Sequence, residues 1–197
     1  MIFPDKKYQI IYADLPLQYD DKALAGNRGA SCKYDTMSTA ELCNLPVQNI
    51  TDTDCFLFCW ATWPMLEDVL QVIKSWGFTY KSLGFIWIKT NKNGTFFQGM
   101  GNAVRSNTEP CLYATKGKPK VISHSVSQII KTTYNGIHSK KPDIVRHRIL
   151  ELCGNLQRIE LFGRTQIQSW DVWGNDSKLE LEPLETFTET LKADQFH

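Results

Sequence analysis

Apolar residues along this chain fall in short dense runs separated by polar stretches, and strand-like and helix-like spacings alternate. Tyr8-Gln9-Ile10-Ile11-Tyr12-Ala13 predicts a buried strand. Cys55-Phe56-Leu57-Phe58-Cys59-Trp60 is apolar without a break, the pattern of a strand covered on both faces. Residues 85–88, 110–114 and 158–162 predict three more strands. Between them the spacing becomes helical. Pro64 suits the first position of a helix with Leu66, Val69, Leu70 and Ile73 on one stripe and Gly77 as its stop. Pro142 opens another, with Ile144, Val145, Ile149 and Leu152 inward and a stop near Gly154. Ser38-Thr39-Ala40-Glu41 has the spacing of a capping box and predicts a short helix toward Leu45. Residues 127–132 carry no decisive period. Residues 18–36, with Gly26 and Gly29, and residues 91–108, rich in Asn, Gly, Ser and Thr, predict long loops. Strands alternating with helices specify the α/β class, a mostly parallel sheet with helices on both faces.

Length and composition add boundaries to this picture. The 197 residues fit one domain, and 42% hydrophobic with 22% charged residues is ordinary for a globular chain. No core pattern continues beyond Asn175, which divides the chain into a domain over 1–176 and an acidic segment over 177–197, flexible or docking. No apolar run has the length of a membrane span, and the N-terminus lacks a secretory pattern. The cysteines at 32, 43, 55, 59, 111 and 153 are scattered, as are the four histidines. That spacing argues against a metal site and for reduced thiols in a cytoplasmic protein.

Charge changes the picture more. The net charge is +1, yet residues 89–141 hold nine lysines and arginines against one acid, Glu109. From Asp176 onward there are six acids against Lys178 and Lys192. A solvated basic surface accounts for the middle stretch as well as a nucleic-acid contact does.

The candidate chemistry begins where the first strand ends, at Asp14-Leu15-Pro16-Leu17. An acid and a proline there suit the rim of an open α/β sheet, where ligands bind. Alone, the tetrapeptide also reads as a carboxylate capping a turn. It is followed, in order, by Phe56-Leu57-Phe58-Cys59-Trp60-Ala61-Thr62, Trp76-Gly77-Phe78 and Phe85-Ile86-Trp87-Ile88-Lys89. Then come Gly99-Met100-Gly101-Asn102, Arg105-Ser106-Asn107-Thr108-Glu109, His138-Ser139-Lys140-Lys141-Pro142-Asp143, Glu160-Leu161-Phe162-Gly163-Arg164 and Trp170-Asp171-Val172-Trp173-Gly174-Asn175. This ordered set resembles the N6-adenine methyltransferase family of the mRNA adenosine methyltransferase and its small bacterial and phage relatives, over residues 8–175.

The resemblance implies a Rossmann-like fold with the catalytic strand before the cofactor strand, and S-adenosylmethionine as methyl donor. It places catalysis at Asp14 and Pro16. The lone pair of adenine N6 is delocalised into the ring, and acceptors for its hydrogens localise it: the Asp14 carboxylate and a backbone carbonyl at 15–16, with proline removing competing donors. Cofactor contacts carry over to Asp14, Lys141, Phe162, Gly163, Arg164, Gly174 and Asn175. Glu109 carries over to the target base or its loop, while His138 reads as a loop residue and not a base. No metal is required. The implied location is the cytoplasm of a bacterium or an infected host cell.

The chain departs from its family at Leu15 and Leu17, where a proline and an aromatic are usual, and at Ala103-Val104, where the first is usually aromatic. With Tyr19 and Glu109 these residues define the expected substrate pocket. Two readings follow. One is an active enzyme, on nucleic acid with DNA favoured over RNA, or on a small adenine-containing substrate admitted by the altered pocket. The other is an inactive nucleic-acid-binding or dimer-partner subunit. A nucleic-acid target must present an extruded or single-stranded adenine. The loops at 18–36 and 91–108 then form lips, with Arg28, Lys33, Lys92 and Arg105 for phosphates. A homodimer is one assembly compatible with this reading.

Overall fold

The computed structural model describes residues 2–18, 36–101, 103–134, 140–163, 166–174 and 181–182. Its strands are β1 (Tyr8–Asp14), β2 (Thr51–Trp60), β3 (Thr79–Thr90), β4 (Thr108–Lys116), β5 (Ile129–Thr133), β6 (Arg158–Leu161), β7 (Gln166–Ile167), β8 (Asp171–Trp173) and β9 (Leu181–Glu182). The α-helices are α1 (Thr39–Cys43), α2 (Leu66–Ser75) and α3 (Ile144–Cys153). Seven strands form one sheet in the order β5-β3-β4-β2-β1-β6-β8. All run the same way except β4, which is antiparallel to both β2 and β3. This is the mostly parallel α/β arrangement that the alternation of spacings predicts, and it has the Rossmann-like form that the family resemblance implies.

Each face of the sheet carries its own core. Ile11, Ala13, Leu57 and Cys59 pack with Leu42 of α1 and with Val69, Val72 and Ile73 of α2. Ile10, Tyr12, Phe56, Phe58 and Trp60 pack with Ile144, Val145, Ile149 and Cys153 of α3. Consecutive residues of β2 thus go to opposite cores, which is why that run tolerates no polar residue. In β1 the register shifts between Tyr8 and Ile10, so Tyr8 joins the α1/α2 side despite its even spacing from Ile10.

The capping box forms: the Ser38 side chain accepts from the Glu41 N–H while the Glu41 carboxylate accepts from the Ser38 N–H. Elsewhere local pattern and structure differ. Pro64 sits in a 3₁₀ turn, Trp63–Met65, and α2 begins only at Leu66. β3 starts at Thr79, well before its apolar part, because pairing with β4 satisfies the backbone of its exposed polar residues. Residues 129–133 are a strand because the edge of β3 offers them a parallel partner. Leu181–Glu182, within the segment set apart as an acidic tail, pairs with β7.

Gly117 closes β4 with φ +67°, and an added Cβ would collide with Asp54 Oδ1 and the Thr53 carbonyl. Gly117→Ala is therefore expected to destabilise the fold by about 1–3 kcal/mol, read by denaturant unfolding. An unchanged midpoint would show that the turn relaxes without strain.

Candidate active site

The parallel strands bring Asp14, Trp60 and Lys89 to the same rim, at or near the carboxyl ends of β1, β2 and β3. Because β4 runs the other way, its first residues meet that rim too: Trp87 lies opposite Glu109, and Trp60 opposite Cys111. Lys141 arrives from the segment that enters α3. The connections from β1 go to β2 on one side and the chain returns to β6 on the other, so Asp14 lies at the topological switch point where open α/β sheets bind ligands.

Four charged side chains interlock there. Lys141 Nζ donates to Asp14 Oδ2 at 2.8 Å and lies 3.5 Å from Glu109 Oε2. The other Glu109 oxygen pairs with Lys89. Lys141 retains 12% side-chain exposure and Asp14 28%, so the carboxylate is the more accessible partner. Burial pushes the Glu109 carboxyl up, but Lys141 and Lys89 outweigh it and hold the group below the usual range. Burial alone would lower Lys141, yet Asp14 and Glu109 raise it above an ordinary lysine. Both are thus charged at neutral pH. By the sign of linkage, the stability that Glu109 gains from its cations is present above its unfolded pKa and is lost as pH falls through the depressed folded value.

Aromatic rings and thiols support this cluster. Lys141 lies 5.6 Å from the Trp60 ring centroid, Lys89 4.7 Å from that of Trp87 and 5.3 Å from that of Tyr134. The Trp60 indole donates to the Tyr12 hydroxyl at 2.6 Å. Burial raises the thiols of Cys59 and Cys111, which stay neutral beneath the charges. The start of α3 is pinned by Arg146. Its guanidinium donates to Glu160 at 2.8 and 2.9 Å and to Asp143 at 2.8 Å, while lying 5.5 Å from the Tyr12 ring centroid. The Asp143 bond fixes the residue two places after Lys141.

The tetrapeptide divides between core and rim. Leu15 is 9% exposed and lies in the α1/α2 core, because alternation turns it opposite to Asp14. The sequence names it as a pocket residue; its side chain packs within this core, next to the rim. Leu17 packs against the edge of that core and bridges to Met37. The Leu15 carbonyl accepts from the Leu17 N–H at 2.8 Å, and the Pro16 carbonyl from the Met37 N–H at 2.7 Å. Each carbonyl considered for the amine therefore has one lone pair engaged and one remaining.

On the other side of the switch point, Phe162 has φ +63°, and its N–H donates to the Trp173 carbonyl at 2.5 Å. A Cβ at Gly163 would lie 2.9 Å from Val172 Cγ1, and one at Gly174 would lie 3.1 Å from Phe162 Cα. Glycine at both positions lets the ends of β6 and β8 close on each other. Trp173 stacks on Phe3, and its Nε1 is buried with no hydrogen-bond partner among the described residues.

Ala103 and the 79%-exposed Val104 stand at a turn closed by mutual hydrogen bonds between Gly99 and Ser106, 2.9 and 3.3 Å. Lys92 and Arg105 are exposed as well. Tyr19, Arg28, Lys33, His138, Arg164 and Asn175 lie outside the described residues. The basic stretch is not one surface. Lys116 lies opposite Cys55, and the Lys118 N–H bonds Asp54, both far along β4 from the rim that carries Asp14. A polar cavity of about 270 Å³ lined by Lys6, Asn155, Gln157, Arg158, Ser169 and Asp171 also lies at that opposite rim.

Lys89, Trp60, Tyr12, Arg146 and Glu160 are brought to or beneath this rim by the fold and carry no site role in the local sequence pattern. One signal was available: Glu160 is an acid inside a short buried strand, and a buried acid requires a cation.

The MT-A70 family profile matches residues 8–176, nearly the whole described fold. The chain belongs to the MT-A70 family of N6-adenine methyltransferases. It is 37% identical over 200 residues to the type II methyltransferase M.MunI of Mycoplasma sp, covering 90% of this chain and 82% of that protein. It is 29% identical over 146 residues to the human N(6)-adenosine-methyltransferase catalytic subunit METTL3, covering 72% of this chain but 25% of the relative. A third relative, the Arabidopsis thaliana non-catalytic subunit MTB, is 30% identical over 116 residues, 56% of this chain and 14% of that protein. No helix among the described residues is long and apolar enough to cross a membrane.

Proposed function

We propose that this chain methylates the N6 amine of adenine in nucleic acid, DNA in preference to RNA, with S-adenosylmethionine as donor. The observation that carries the reading is the partly exposed Asp14 carboxylate at the switch point, held through Lys141 to Glu109. The likeness to M.MunI over most of both chains supports it.

The residues at the rim fit the donor. Lys141 offers a cation for a carboxylate, and Asp14 an acceptor for an ammonium or amine. Phe162, Gly163 and Gly174 form a closed turn that brings backbone to the rim, beside the Trp173 indole N–H, which has no partner among the described residues. Phe162 has a left-handed backbone there. Arg164 and Asn175 continue the same two segments. S-adenosylmethionine supplies an electrophilic methyl group when bound. The protein's own task is the amine. Lys141 occupies one Asp14 oxygen, and a carboxylate has capacity left to accept an N6 hydrogen. The free lone pair on the Leu15 or Pro16 carbonyl takes the second hydrogen, which returns electron density to nitrogen. Formation of the N–C bond would break the sulfonium S–methyl bond and leave a neutral thioether. The alkylated amine would be strongly acidic and would give its proton to the Asp14 carboxylate or to solvent. Leu17 gives the target base an apolar contact but no ring to stack on.

Radiolabelled methyl transfer onto DNA, RNA and free adenosine, with N6-methyladenine identified by mass spectrometry, tests this. Product on DNA is the expected result; product on adenosine alone would assign a small-molecule substrate. A second reading, a non-catalytic partner subunit, is favoured by the Leu15 and Leu17 departures and by the likeness to MTB. No product on any substrate with cofactor binding intact would select it. Lys141→Ala is expected to weaken S-adenosylmethionine binding roughly 10- to 100-fold by calorimetry, the loss of a charge-assisted contact. Unchanged affinity would remove Lys141 from the cofactor site.

A further inference from the structure

Of the six tryptophans in the chain, Trp60, Trp76, Trp87 and Trp170 are at most 4% exposed, and Trp173 is half-buried. Trp63 is 47% exposed. A large ring left in water is the informative case, since burial is the rule for such side chains. This ring is also fixed. Its Nε1 donates to Thr108 Oγ1 at 3.0 Å, and it opens the 3₁₀ turn that Pro64 stiffens.

Both partners of that bond stand at the catalytic rim. Trp63 follows Trp60, which lies opposite Asp14, by three residues, and Thr108 directly precedes Glu109. Alternation along β4 sends Thr108 to the side of Leu112 and Ala114, which face α1 and α2, and Glu109 to the side of Cys111, which faces α3. The indole therefore flanks the Asp14–Lys141–Glu109 cluster instead of flooring it. Lys92 and Arg105 are exposed on the loop that enters β4, and farther along the sheet Lys131, in the middle of β5, lies 5.8 Å from the Phe96 ring centroid. An oriented aromatic face on a rim whose loop also carries exposed cations is the composition that holds single-stranded nucleic acid: rings stack bases and cations take phosphates.

We propose that Trp63 is a stacking platform for the nucleobase next to the target adenine, in single-stranded or locally opened nucleic acid. It thereby supplies, from the end of β2, an aromatic base contact that the tetrapeptide lacks at Leu17. The inference rests on the nucleic-acid reading above. Stacking on an indole is tolerant of base identity, so Trp63 contributes affinity for an opened strand and no sequence code.

The test is steady-state methylation of an adenine-containing oligonucleotide by the full chain and by Trp63→Ala and Trp63→Phe. Trp63→Ala is expected to raise the oligonucleotide KM roughly tenfold, within the range for loss of one stacked base, with kcat and S-adenosylmethionine affinity unchanged. Trp63→Phe, which keeps a ring, is expected to restore most of it. Tryptophan fluorescence of the wild type is expected to quench with the oligonucleotide but not with an abasic strand of equal length. A Trp63→Ala KM within twofold of wild type, or equal quenching by the abasic strand, would overturn the proposal while leaving the nucleic-acid reading standing. No methylation of any oligonucleotide by the wild type would overturn both. A thermal melt of each variant separates misfolding from lost stacking, and the comparison of quenching by the oligonucleotide and by the abasic strand carries the decision if the alanine variant does not fold.

Discussion

Asp14→Asn is expected to lower methyl transfer to nucleic acid by about 10²- to 10⁴-fold in kcat, the range for removing a positioned proton-handling group. The amide preserves the shape of the carboxylate but not its charge. It accepts the N6 hydrogen more weakly and no longer neutralises Lys141, which is 2.8 Å from Asp14 Oδ2. The cofactor affinity is expected to change less than kcat, because Lys141 keeps Glu109 as a counter-ion and stays charged. Single-turnover methylation under saturating donor separates the two effects. Retention of more than about a tenth of the wild-type rate would show that Asp14 does not act on the amine. The reverse change at the same rim, Leu17→Trp, adds the missing ring and probes how far that position limits the substrate.

Arg146→Met is expected to be the most damaging structural substitution, destabilising the protein by about 3–5 kcal/mol. The guanidinium sits between β6 and the start of α3 and holds both Glu160 oxygens. Glu160 is 6% exposed, and burial already raises its carboxyl despite Arg146. Without Arg146 that carboxylate has lost its cation in a buried site. Its folded pKa then rises further above the unfolded value, so the folded state binds the proton more tightly. Stability of the variant must therefore increase as pH is lowered through the raised folded value and fall as pH increases. Denaturant unfolding between pH 5 and pH 8 reads this slope. The double substitution Arg146→Met with Glu160→Leu, which removes both charges, is expected to recover most of the loss. A flat pH profile for the single variant would mean that Glu160 finds another partner.

The elements of this fold were legible where one period dominates. β2 is apolar at every position from Cys55 to Trp60, and α2 carries an apolar stripe ended by a left-handed glycine. Residues 127–132 were not legible, because a short strand at a sheet edge is decided by the backbone partner beside it. The lower half of β3 was missed for the same reason: Thr79–Ser82 have exposed side chains, and only pairing with β4 makes them a strand. At the site, Asp14, Glu109 and Lys141 were each legible as candidates, while Lys89 was hidden within a run of basic residues that the fold divides between two rims. Leu15 shows the limit of motif reasoning. It departs from the family pattern beside Asp14, yet its side chain packs in the core.

The sequence by itself determined the α/β class, the order of the elements and the chemistry of the candidate groups, since these depend on residue type and on periods of a few residues. Tertiary structure alone decided that β4 is antiparallel. That reversal sets an acid 95 positions from Asp14 in sequence at the same rim, where Lys141 meets both. It also decided which leucine of the tetrapeptide is buried and which tryptophan remains in water. Charge pairing and burial act between residues brought together by sheet order, and no local pattern encodes which strands become neighbours.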